Sequence, residues 1–328
     1  SSAKCSPASL RPAPAWSLCR PAVMGWQAFV LPGVTTPLGF AAAALFWALL
    51  LLVAWVLANE GFKRKSDDGK EFHGVAVGTW ALKVAMLLHH VAVAPLALLA
   101  IGCDAATRQA LACFGCSEVA PLLIRDALEG PSYAAQVLAP ITIGYMIADL
   151  ALLRNWSLSA KGGQGENILM LVHHSFSMIT WPHTIWFDFC TRYVLFLVSY
   201  ELSSIFLTVN WMLSTAGRKQ HPVYFASGLL FTGTFVLTRM LGAVPQLLAL
   251  WHAPPWSKAT EGVPAYVWMG SVTLLLPHAM NFFWGVKVVR GFASVAAGAL
   301  GRRASAGKSG AVQPLVAEEE PLDPSTVE

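Results

Sequence analysis

Apolar residues along this chain neither alternate nor keep to one helical face; they come in long blocks separated by short polar links. The block GFAAAALFWALLLLVAWVLA, Gly39 to Ala58, runs 20 residues without a charge. A helix rises 1.5 Å per residue, so it is long enough to cross a hydrocarbon layer of about 30 Å. Six further blocks predict spans near Val75–Ile101, Ala134–Leu153, Ile168–Trp186, Tyr193–Leu213, Val223–Leu250 and Tyr266–Val288. The pattern predicts an all-α integral membrane protein, a bundle of about seven transmembrane helices. Six is the alternative, if one block is re-entrant or lies on the surface.

The links GFKRKSDDGKEFHG, RNWSLSAKGGQGEN, STAGRKQHP and HAPPWSKATEG hold the Gly, Pro and Ser of turns outside the membrane. Residues 1–35 read as an N-terminal extension, 36–290 as the helical membrane domain and 291–328 as a disordered polar tail ending EEEPLDPSTVE. The chain begins at Ser1 rather than Met, and Met24 is an alternative start. The Pro-rich opening stretch lacks the form of a signal peptide.

Composition strengthens this picture. Residues are 55% hydrophobic and 12% charged, with mean hydropathy +0.55. Soluble domains carry roughly 25% charge. The basic stretch KRKSDDGK is short and mixed in sign, so it suits anionic lipid headgroups and not nucleic acid. Counting lysines and arginines in alternate links gives 7 on one side, which includes the amino end, and 13 on the other. The positive-inside rule then predicts a cytosolic carboxyl tail and an exoplasmic or lumenal amino end; an endomembrane, the endoplasmic reticulum first, is the expected location. Cys5, Cys19, Cys103, Cys113, Cys116 and Cys190 all fall on the predicted lumenal side, where disulfides persist. The pair in CFGC lacks a second CxxC to complete a zinc site, so a loop disulfide or thiols are expected there, and no metal.

Ionisable groups inside the spans bear on function, because each costs about 3 kcal/mol to insert and so faces the bundle interior. They are Lys83, His89 and His90 in span 2, Asp149 in span 3, His173, His174 and His183 in span 4, Glu201 with Asn210 in span 5, Arg239 in span 6, and His278 with Asn281 in span 7. Spans 4 and 5 are joined by a tight link and should pack side by side, which would let one imidazole of the doublet reach Glu201. His173 and His174 are about 100° apart on a helix, so only one can point straight at that carboxylate. Three chemistries fit: a histidine base oriented by carboxylates for acyl transfer, a haem held by His90, His173 and His278, or a buried network that fixes helix packing.

Three stretches carry a resemblance. GYMIADLALL (144–153), LVHHSFSMIT (171–180) and SYELSSIFLTVNWML (199–213), in that order and spacing, resemble the TLC domain, the multi-span family of the ceramide synthases and the TLC-domain-containing proteins. The similarity covers about 72–290. Ceramide synthases transfer an acyl group from acyl-CoA to a sphingoid amine, and carry a His doublet followed on the next helix by His-Asp-x-Ser-Asp. Here Tyr200-Glu201-Leu202-Ser203-Ser204 stands at that stretch, with Glu201 at the first acid and Ser204 at the second. Thr208 and Trp211 replace a later Glu and Lys. This sets the chain nearer the TLC-domain-containing branch, which is associated with ceramide and phospholipid homeostasis.

The resemblance implies a protein that binds long-chain acyl lipids, with acyl-CoA as candidate substrate and no bound cofactor. His173, His174, Glu201 and Asp149 are the candidate catalytic residues, and Ser204, Asn210, His278 and Asn281 line the lipid cavity between spans 3, 4, 5 and 7. The alternatives are a non-catalytic lipid sensor and an accessory subunit or haem-bearing electron carrier in a membrane complex. Membrane lipids are the expected partners, with homo-oligomers or membrane complexes as assemblies.

Overall fold

A computed structural model of the chain describes residues 36–104, 132–152, 164–187, 191–252, 275–294 and 297. These are overwhelmingly helical. The first helix, α1 (Pro37–Lys63), starts where Pro37 occupies its first turn and the Thr36 hydroxyl accepts the Gly39 N–H at 3.1 Å, satisfying a donor with no partner inside the helix. One stripe of it, Phe40, Ala44, Ala48 and Leu51, is buried. Leu38, Leu45, Phe46, Leu49, Val53 and Leu57 are exposed on the rest. An apolar surface of that extent belongs against lipid.

The link that follows contains a two-residue hairpin, β1 (Glu71–Phe72) against β2 (Val75–Ala76), in register Glu71 to Ala76 and Phe72 to Val75. His73 and Gly74 both take positive φ, 52° and 72°, as a type I′ hairpin turn requires. Ahead of it, the Asp68 carboxylate accepts the N–H groups of Lys70 and Glu71 at 2.9 and 3.1 Å and the Ser66 hydroxyl. Those donors favour the ionised form and hold its pKa below the usual carboxylate range.

The remaining helices are α2 (Val77–Cys103), α3 (Tyr133–Ala151), α4 (Gln164–Trp186), α5 (Thr191–Ser199), α6 (Glu201–Thr215), α7 (Pro222–Thr234), a π-helical segment Phe235–Leu241, α8 (Ala243–His252) and α9, helical over 275–294. Among the described residues, five stretches are long and apolar enough to cross a membrane: α1, α2, α3, α5 with α6 (Thr191–Thr215), and Pro222–Leu248. Helices α4 and α9 occupy the fourth and seventh predicted positions and carry several of the interior polar side chains. The chain is therefore an all-α integral membrane bundle. Helical residues reach 294, and residue 297 is helical as well, within the stretch 291–328 expected to be a disordered tail. The extension 1–35, most of the tail, and all the cysteines except buried Cys103 lie outside the described residues.

Helix α2 lies at the centre. It packs on α1, α3, α5 and α6, and its contact with α5 and α6 is more extensive than that of α4. Both ends of that packing are pinned. At one end Trp80 meets Trp211 at 5.2 Å between ring centroids; at the other, Arg192 pairs with Asp104 at 3.2 Å. So α2 runs antiparallel to α5 and α6. Across α1, Gly144 of α3 comes so close that a Cβ there would lie 2.5 Å from the Ala44 carbonyl and 2.9 Å from the Ala48 nitrogen. Small residues on both helices permit that approach, the usual means of joining membrane helices.

Candidate functional site

Two irregularities in the helices build the site. The fifth span is not continuous: Ser199 and Glu201 belong to different helices, and Tyr200 between them is a turn residue. The sixth span winds into the π-helical segment, a form concentrated at functional positions. Arg239 lies in that segment and reaches across to the break. Its Nε donates to the Tyr200 carbonyl at 3.1 Å and to Ser203 Oγ at 2.9 Å, Nη1 to Asn281 Oδ1 at 3.2 Å, and Nη2 to Ser204 Oγ at 3.0 Å. The guanidinium thus ties spans 5, 6 and 7 together. Its Nη2 also lies 3.7 Å from Glu201 Oε2.

Glu201 heads α6, where a carboxylate is favoured by the N–H groups of the first turn. Its other close neighbour is an imidazole that is not on span 4. His90 Nε2, on α2, stands 3.2 Å from Glu201 Oε2. The expectation that the doublet of span 4 would meet this carboxylate is thus corrected: the central helix α2, not α4, packs along spans 5 and 6. His174 instead places Nδ1 at 3.0 Å from Asp149 Oδ2 on α3. His173, turned by one residue, faces the cleft that Glu201 lines.

Between the two histidine–carboxylate pairs stands Tyr145. His89 stacks flat on its ring at 4.1 Å and 10°, and His90 and His174 meet it edge-on at 5.6 and 5.9 Å. The Thr142 hydroxyl gives its proton to the Leu138 carbonyl, so at 3.3 Å its oxygen accepts from His89 Nε2–H. Sequence reasoning passed over Tyr145 and considered His90 as an interior histidine and a candidate haem ligand, but not as a partner of Glu201. The signal was there: Tyr145 lies four residues before Asp149, on the same helical face.

A small cleft opens beside these pairs, lined by His173, Trp181, Leu197, Tyr200, Glu201, Arg239, Pro277, Met280, Asn281 and Trp284. It lies between spans 4, 5, 6 and 7, whereas spans 3, 4, 5 and 7 were expected; Asp149 of span 3 sits behind it, against His174. Asn281 lines it, and Ser204 stands behind Arg239. His278 is buried beside Tyr200, 6.2 Å between ring centroids. Asn210 is elsewhere, nine residues or about 13 Å along the helix from Glu201. It donates to the Tyr224 carbonyl at 2.9 Å and Ser227 Oγ at 3.2 Å, joining α6 to α7 in place of the cavity role expected for it. Among the described residues, no group of three His, Cys, Asp or Glu side chains is placed to hold a metal ion. Of the histidines considered as haem ligands, His90 directs Nε2 at Glu201.

A family model described as the TLC domain matches residues 80–290. No curated protein and no solved structure matches the chain.

Proposed function

The chain belongs to the TLC-domain family, and from that premise we propose that it binds long-chain acyl lipids and transfers an acyl group to a lipid amine. It is a membrane protein of lipid metabolism; ceramide and related sphingolipids or phospholipids are the proposed products, and the endoplasmic reticulum, with the carboxyl tail cytosolic, the proposed setting. One observation carries the reading. His173, Glu201 and Arg239 share a cleft inside an apolar bundle, and His174 with Asp149 stands directly behind His173, the two imidazole rings 5.5 Å apart. A histidine at the cleft wall takes the proton from the attacking amine as nitrogen bonds to the thioester carbonyl carbon. The thiolate of coenzyme A then leaves, and the product is an amide. Arg239 and Asn281 supply donors for the oxygen on which negative charge develops.

The test is purified protein with long-chain acyl-CoA and a sphingoid base. His173→Ala and Glu201→Gln should each lower turnover by roughly 10²-fold or more, the usual worth of a positioned base. Equal turnover in wild type and both variants would sink the mechanism.

A second reading, a lipid sensor without catalysis, is favoured by the burial of the histidine pairs: His174 is 3% exposed, His90 2% and Asp149 1%. Lipid that co-purifies with the wild type, with no amide formed from added substrates, would select it.

A further inference from the structure

A second polar group stands beside the cleft, apart from the histidine–carboxylate pairs. Gln246, at 0% exposure, donates Nε2 to the Tyr200 hydroxyl at 2.8 Å and to the Gly242 carbonyl at 3.1 Å. The carbonyl can only accept, which fixes the amide nitrogen on that side and turns Oε1 away. Among the described residues, Gln246 Oε1 has no donor. His278, 2% exposed and packed against the Tyr200 ring, likewise has neither Nδ1 nor Nε2 bonded there. Tyr200 accepts from Gln246 and retains its own O–H to give. Buried groups of this kind seldom go without partners, because an unmade bond forfeits the hydration each group had in water.

Gln246 and His278 come from two further spans and pack against Tyr200 from behind the cleft wall; Tyr200 lines the cleft, as do Pro277 and Met280 on either side of His278 in the chain. Their chemistry is specific. Neutral imidazole offers one donor and one acceptor, the amide oxygen an acceptor, and the phenol a donor. None of the three is a cation. A carboxylate or phosphate would meet the Gln246 oxygen without compensation, whereas a hydroxyl or a primary amide both gives and takes.

We infer that Tyr200, Gln246 and His278 form a headgroup-recognition site for a neutral hydroxyl or amide carried by a long-chain lipid in the cleft. The inference rests on the lipid-binding reading above and specifies which lipids that site selects. These residues position the ligand and take no part in bond making.

The experiment uses the full chain in nanodiscs with a photoreactive long-chain alcohol, competed by octadecanol, stearamide, stearate or octadecane. In the wild type, octadecanol and stearamide should compete about tenfold better than stearate or octadecane, the worth of one neutral hydrogen bond. Gln246→Leu and His278→Phe should each erase that preference, and His278→Asn, which keeps a donor and an acceptor, should retain it. Melting of each variant identifies one that fails to fold, and the other then gives the reading. Equal competition by all four compounds, or a preference unchanged in both apolar variants, overturns the inference and means that the group holds only water; chain binding would still support the lipid reading. No labelling by any lipid overturns both.

Discussion

Arg239 lies within the sixth span and has its guanidinium bonded to three other groups besides the Tyr200 carbonyl, with Glu201 beside it. Removing one partner of a buried pair strands the other, at about 3–5 kcal/mol, while removing both together is far milder. Arg239→Met should therefore lower the melting temperature in detergent sharply, and Arg239→Met with Glu201→Met should recover part of the loss. Additive losses would show that the two side chains do not act as a pair. His90 gives Glu201 a second neighbour, so the carboxylate is not wholly stranded in the single variant, and the lower half of that range is the expectation.

At the scale of elements, the departures from regular helix matter more than the helices. At the turn the Tyr200 carbonyl accepts from Arg239 as well as from Ser203, and the π-helical segment delivers that arginine. The crossing of α1 and α3 depends on a missing side chain. Gly144→Ala would force its Cβ against the α1 backbone at Ala44 and Ala48, and overpacking of that kind costs about 1–3 kcal/mol. Gly233, where a Cβ would meet nothing within 4 Å, is the matched control: Gly233→Ala should leave the melting temperature unchanged or raise it. Similar losses in the two would show that the close crossing contributes nothing.

For the whole molecule, the pins at Trp80 with Trp211 and at Asp104 with Arg192 fix which ends of the spans share a membrane face. Cysteines introduced at Lys65 and Lys219, in a background freed of native cysteine, should react with an impermeant maleimide from the same side of sealed vesicles. One at Asp104 should react from the opposite side. Labelling of all three from one side would contradict the antiparallel packing of α2 on α5 and α6.

The sequence by itself determined the membrane class, the places of the spans and the identity of the interior polar residues. Uninterrupted apolar length and the cost of burying charge are local properties that can be read residue by residue. The resemblance in GYMIADLALL, LVHHSFSMIT and SYELSSIFLTVNWML pointed to the family that the match over 80–290 shows. Which histidine meets which carboxylate was decided only by tertiary structure. Adjacency in sequence suggested span 4 for Glu201, but helices with apolar surfaces all round can pack in many orders, and α2 took the central place. The break at Tyr200, the role of Tyr145 and the shift of Asn210 out of the cavity follow from that packing, because each depends on neighbours distant along the chain.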